Sequence, residues 1–151
     1  MRTPPALSYH ELQNALTTDE MAIEQELLKE PVLLQIASDE CCQLGLEWDN
    51  LKVDLKALEL DEKTAEAIVL LHAKDPANGK KTVDEAKAMV DSHADIIAVR
   101  RSIIDTQRRL AVAKNEYDKW YNLYENHKAK LRSLSAYKDM ITTGYVGYKH
   151  A

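Results

Sequence analysis

The stretch from Ile96 to Ile141, IIAVRRSIIDTQRRLAVAKNEYDKWYNLYENHKAKLRSLSAYKDMI, decides the fold. Alternate steps of three and four meet Ile96, Val99, Ile103, Thr106, Leu110, Ala113, Tyr117, Trp120, Tyr124, His127, Leu131, Leu134, Lys138 and Ile141, the spacing of a heptad seam on a helix. No Pro or Gly interrupts the run before Gly144. With Thr82-Val83-Asp84-Glu85 reading as a capping box, the spacing predicts a long arm over 83–143, about 90 Å at about 1.5 Å per residue.

Upstream, Lys74-Asp75-Pro76-Ala77-Asn78-Gly79-Lys80-Lys81 holds the only interior Pro and Gly that lie close together, which predicts a loop over 74–82. Before that loop a second seam runs through Leu34, Ala37, Cys41, Leu44, Trp48, Leu51, Leu55, Leu58, Glu62, Ala65, Val69 and His72, with Glu62 as its strongly polar break. Pro31 lacks an amide donor and disfavours helical geometry before it, so it marks the start of a first long arm over 31–73.

Ser8-Tyr9-His10-Glu11 is a capping box opening a short helix to about Ala15, and Thr17-Thr18-Asp19-Glu20 repeats the signal for a second short helix ending near Glu30. Residues 1–7, with Pro4 and Pro5, and residues 144–151 read as tails. The fold class expected is therefore all-α: one domain over 1–151, a long antiparallel coiled-coil-like hairpin with two short N-terminal helices over 8–30. A hairpin buries one stripe per arm, so a homo-oligomer is expected to complete the core.

Composition agrees with helices: 30% charged residues, four Gly, four Pro and no Phe in 151 residues. The segment Met1 to Ala6 has no apolar leader, and no apolar run approaches the roughly 18 residues needed to span a bilayer, so a cytoplasmic protein with no membrane partner is expected. Cys41 and Cys42 are adjacent on a helix, where side chains point about 100° apart and do not bridge; one half-buried and one exposed thiol are expected. The net charge of −5 hides an asymmetry, since residues 1–95 carry 9 Lys/Arg against 20 Asp/Glu and residues 96–151 carry 11 against 5.

No P-loop, GxGxxG, GxSxG, HExxH or paired CxxC occurs, so no catalytic residue, metal ligand or cofactor is expected. Asp91-Ser92-His93-Ala94-Asp95 reads as solvated carboxylates flanking a part-buried His on the second arm, and His127 and Thr106 as polar seam residues that set register. Arg100, Arg101, Arg108 and Arg109 are expected to pair with the acidic first arm. Six of the seven tyrosines (Tyr117, Tyr121, Tyr124, Tyr137, Tyr145 and Tyr148) and Trp120 are interleaved with Lys114, Lys119, Lys128, Lys130, Arg132, Lys138 and Lys149. Single-stranded nucleic acid needs both kinds, cations for phosphates and flat faces for unpaired bases. Tyr117, Trp120 and Tyr124, being on the seam, are expected in the core.

Three short motifs resemble the UvsY-type recombination mediators of tailed phages. They are Glu26-Leu27-Leu28-Lys29-Glu30-Pro31 ahead of a long helix, Asp95-Ile96-Ile97 early in the later helix, and Arg132-Ser133 followed by Tyr137-Lys138 and Ile141. The resemblance implies a non-enzymatic phage protein of DNA recombination and repair that binds single-stranded DNA and helps load a recombinase in place of the single-strand binding protein. It also implies a ring-like homo-oligomer, with Lys128, Lys130, Arg132, Tyr137 and Lys138 as the DNA contacts. The rival expectation is a coiled-coil protein–protein adaptor, or an inhibitor of a host enzyme, with no nucleic-acid binding and with the acidic residues of 39–66 as its surface.

Overall fold

The computed structural model describes residues 2–16 and 22–149, with side chains to residue 143. Four α-helices follow one another: α1 over Tyr9–Asn14, α2 over Ile23–Lys74, α3 over Val83–Ser92 and α4 over Ala94–Lys149, with a 3-10 turn at Pro76–Asn78. Among the described residues there is no strand, and no helix is long and apolar enough to cross a membrane. The chain is all-α, and α2 packs against α4 as a helical hairpin. Two compact units divide it: unit 1 is Met1–Leu46 with Asn115–Ala151, and unit 2 is Glu47–Lys114.

Both capping boxes form. Ser8 Oγ accepts from the Glu11 amide at 3.2 Å while the Glu11 carboxylate accepts from the Ser8 amide at 2.7 Å, and Thr82 and Glu85 repeat the exchange at 3.2 and 3.0 Å. The Ser8 amide and hydroxyl hold the Glu11 carboxyl below its ordinary value. In the connection, Asp75 caps the 3-10 turn and Gly79 takes a positive φ of 83°, where a side chain would be strained.

In unit 1, Cys41 and Leu44 of α2 meet Trp120 and Leu123 of α4, and Leu12 of α1, fully buried, closes the cluster with Leu7 and Tyr9 at its edge. In unit 2, Val69 of α2, Val90 of α3 and Ile96 of α4 form the core. The seam positions named from the sequence are buried or half-buried from Leu34 to Val69 and from Ile96 to Leu134; His72, Lys138 and Ile141 at their ends are exposed.

Five expectations need correction. Pro31 does not bound a helix: α2 runs unbroken from Ile23, and Pro31 sits on its exposed face, where water can serve the carbonyl that the missing amide leaves unpaired. No separate second N-terminal helix ends near Glu30, and the expected cap at Thr17 to Glu20 lies outside the described residues. The arm expected over 83–143 is two helices, because His93 takes an extended ψ of 129° and ends α3. Ser92 Oγ turns back to the Ala88 carbonyl at 2.8 Å and His93 Nδ1 accepts the Asp95 amide at 3.3 Å, so local polar side chains serve backbone groups at the break. Finally, residues 2–7 are tied down: Arg2 pairs with the buried Glu40, and Leu7 packs on the core. At the other end α4 continues past Gly144 to Lys149.

Candidate functional site

Unit 1 contains a buried polar cluster that the sequence reading missed. His127 and Glu30 are both fully buried, and His127 Nδ1 faces Glu30 Oε1 within hydrogen-bonding distance. The other ring nitrogen, Nε2, lies 2.9 Å from the Leu12 carbonyl, which can only accept, so Nε2 carries a proton. Lys130, whose side chain is 9% exposed, donates to the Ala15 carbonyl and to Glu26 at 3.1 Å. Glu30 Oε2 accepts no hydrogen bond, and its contact with the Lys130 ammonium at 3.4 Å is electrostatic only. Two carboxylates, the His127 ring and the Lys130 ammonium thus meet where α1 packs on α2 and α4, and the Leu12 and Ala15 carbonyls both find side-chain donors there. The cluster docks α1.

The expected nucleic-acid contacts are not brought together. Lys130 belongs to the buried cluster, and its ammonium is committed to Glu26, Glu30 and Ala15. Lys128 is half-buried, 3.9 Å from Glu125 and above the Tyr124 ring. Arg132, Tyr137 and Lys138 are exposed, Tyr137 by 44%, and Lys138 lines an open groove with Glu24, Leu27, Leu28, Ser135 and Asp139. At about 100° per residue, Arg132 lies well over 90° around α4 from both Tyr137 and Lys138, so the three share no face. The aromatic residues are also largely spoken for. Trp120 is buried edge-on against Tyr9, while Tyr121 stacks on Tyr117 at 5.9 Å and leans on Tyr124 at 6.3 Å. The charge of Glu125 raises the pKa of the Tyr121 hydroxyl. Tyr145, Tyr148 and Lys149 lie beyond the described side chains.

Unit 2 separates the arginines that the sequence grouped. Arg100 reaches Glu62 at 2.9 Å, Glu66 at 3.0 Å and Asp91 at 3.0 Å, tying α4 to α2 and α3; these contacts raise its pKa further and explain the polar break at Glu62. Arg101, Arg108 and Arg109 are exposed and form no ion pair among the described residues. Arg101 and Arg108 alternate with Ile97, 36% exposed, and Ile104, 49% exposed, and Ala111 extends the row. The spacing of 97, 101, 104, 108 and 111 is again four, three, four, three, now on the outward face of α4. Arg101, Ser102, Ile104, Asp105 and Arg108 line an open groove along it.

Asp91, Ser92, His93 and Asp95 form the joint between α3 and α4, with His93 exposed instead of part-buried. Among the described residues no group of His, Cys, Asp and Glu is placed to hold a metal ion. Both cysteines are free, and burial pushes the Cys41 thiol up to about 11 while Cys42 is exposed.

No protein-family model, curated protein or solved structure matches this chain.

Proposed function

We propose that this chain is a non-catalytic helical adaptor that docks an acidic amphipathic helix of a partner protein along the outward stripe of α4 in unit 2. One observation carries the reading. Arg101 and Arg108 stay free of internal ion pairs beside Arg100, which makes three, and they are interleaved at heptad spacing with the exposed Ile97 and Ile104. A row in which exposed isoleucines alternate with unpaired guanidinium groups suits a helix with leucines at its own seam and carboxylates within reach of Arg101 and Arg108.

The test is fluorescence anisotropy with a labelled synthetic helix carrying leucines at a and d and glutamates at e and g. The expected result is saturable binding that falls at least tenfold in Arg101→Glu/Arg108→Glu. Binding that the double charge reversal leaves untouched refutes the proposal.

A second reading rests on Arg132, Tyr137 and Lys138, each exposed on α4, with Arg132 on a different face from the other two. On it the chain is a single-stranded-DNA-binding recombination mediator, as the motif resemblance implies. Lys130 would have no part in it, being engaged internally. A labelled single-stranded oligonucleotide separates the two: steeply salt-dependent binding, lost in Arg132→Glu/Lys138→Glu, supports the mediator.

A further inference from the structure

The opposite helix of unit 2 carries an apolar face that neither core uses. On α2, Asn50, Val53, Ala57, Leu60, Thr64, Ala67 and Leu71 follow steps of three and four, and every one is exposed. Val53 is 65% exposed, Leu60 64% and Leu71 71%, with Ile68 beside them at 63%. These positions interleave with the inward, buried or half-buried seam of Leu51, Leu55, Leu58, Glu62, Ala65 and Val69, so α2 has two heptad seams on two faces. A helix with a single apolar stripe buries it in its own hairpin. A second register of the same repeat needs a second helix.

We infer that a second copy of this chain covers this seam, with the two α2 helices parallel and in register. In a heptad frame Asn50, Ala57, Thr64 and Leu71 occupy the a positions, and Val53, Leu60 and Ala67 the d positions. Parallel pairing places Asn50 against Asn50 of the partner subunit, and an a-position Asn satisfied by its own copy specifies register and two strands. It also places Lys56 at g beside Asp61 of the partner subunit at e, twice by symmetry. The one unfavourable pair, Asp49 with Asp54 of the partner subunit, is eased because Lys52 already neutralises Asp49 at 3.4 Å. Antiparallel pairing would set the e row against itself, and over this seam that row is Asp54, Asp61 and Ile68, two of the three acidic. The small residues Ala57, Thr64 and Ala67 let the helices approach closely but add little burial, so the pair is concentration-dependent. This interface lies on α2 and leaves the α4 stripe untouched.

The test is sedimentation and light scattering of the intact chain over a concentration series, beside Val53→Asp/Leu60→Asp, with circular dichroism confirming that the exposed substitutions leave the helices intact. The expected result is a mass that doubles with concentration in the wild type and stays monomeric in the variant, with peptide binding by Arg101 and Arg108 retained. Direction is read from single-cysteine chains lacking Cys41 and Cys42: Val53→Cys, toward one end of the seam, should crosslink to itself under mild oxidation, whereas an antiparallel pair would hold it about 20 Å from its own copy, and Glu59→Cys, off the seam, should not crosslink. A monomer at every concentration, a dimer that survives Val53→Asp/Leu60→Asp, or a dimer in which Val53→Cys fails to crosslink would overturn the inference.

Discussion

Replacing His127 with leucine should be among the most destabilising single changes in unit 1, and the reason can be worked from its contacts. The ring has no exposed surface, one nitrogen serves the Leu12 carbonyl at 2.9 Å, and the other serves the equally buried Glu30. Leucine fills a similar volume but removes both partners, leaving a buried carbonyl without a donor, at a cost of about 1–3 kcal/mol. It also leaves the Glu30 carboxylate with only Lys130, off the hydrogen-bond direction at 3.4 Å. Breaking one side of a buried pair typically costs about 3–5 kcal/mol, and because the two terms overlap the total should fall in that range. Glu30→Leu alone should cost a similar amount. The double change, Glu30→Leu with His127→Leu, removes the orphaned charge and should recover a coupling of about 2 kcal/mol, while Lys130 keeps Glu26. The assay is urea unfolding followed by the fluorescence of Trp120, which is 5% exposed in the core of unit 1, in a Trp48→Phe background. Additive single and double changes would show that Glu30 and His127 do not act as a pair.

Other consequences follow from single contacts. At neutral pH iodoacetamide should modify Cys42 and spare Cys41, whose thiol is held up to about 11; mass spectrometry of the intact chain should show one adduct, and Cys41 labelling should rise only in alkali. Pro31→Ala should stabilise the chain by up to about 3 kcal/mol, since it restores an amide to the interior of α2 at an exposed position, and thermal melting reads the gain. Arg100→Gln should lower stability in a salt-sensitive way, because its three carboxylate partners on α2 and α3 are all partly solvated; hydrogen exchange should show α3 opening first. Acidification should release the α1 cap as the pH drops through the depressed Glu11 titration, since a lowered carboxyl pKa stabilises the helix only above it, and the Ser8 amide shift should report a midpoint below 4.5.

The helices were legible because their apolar residues repeat at the helical period. Thirteen-atom hydrogen-bonded turns need only that spacing and the absence of breakers, and the runs from Leu34 to Val69 and from Ile96 to Leu134 have both. The caps at Ser8 and Thr82 and the connection around Pro76 and Gly79 were equally local. What escaped the sequence reading depends on partners far along the chain. Carrying the first seam back four residues from Leu34 reaches Glu30, but a glutamate beside a proline looks like a solvated helix end until His127 and Lys130 are placed against it. Lys130 looked like a phosphate contact for the same reason: a charge on a helix does not reveal whether it meets solvent or a carboxylate from another element. The break at His93 was hidden because Ser92 and His93 are tolerated within helices, and it is their side-chain bonds to nearby backbone groups that accompany the turn. The outward seams on α2 and α4 were present in the sequence but masked by the inward ones, since two interleaved heptad registers on one helix read as scattered apolar residues.

Whether partners dock on the outward stripe of α4 in unit 2 is decided by hydrogen-exchange mass spectrometry of the intact chain with and without saturating acidic helix peptide. Slowed exchange is expected only in peptides covering residues 97–111, and is expected to be absent in Arg101→Glu/Arg108→Glu. Protection appearing instead over residues 128–143, and elicited by a single-stranded oligonucleotide but not by the peptide, would contradict docking on this stripe.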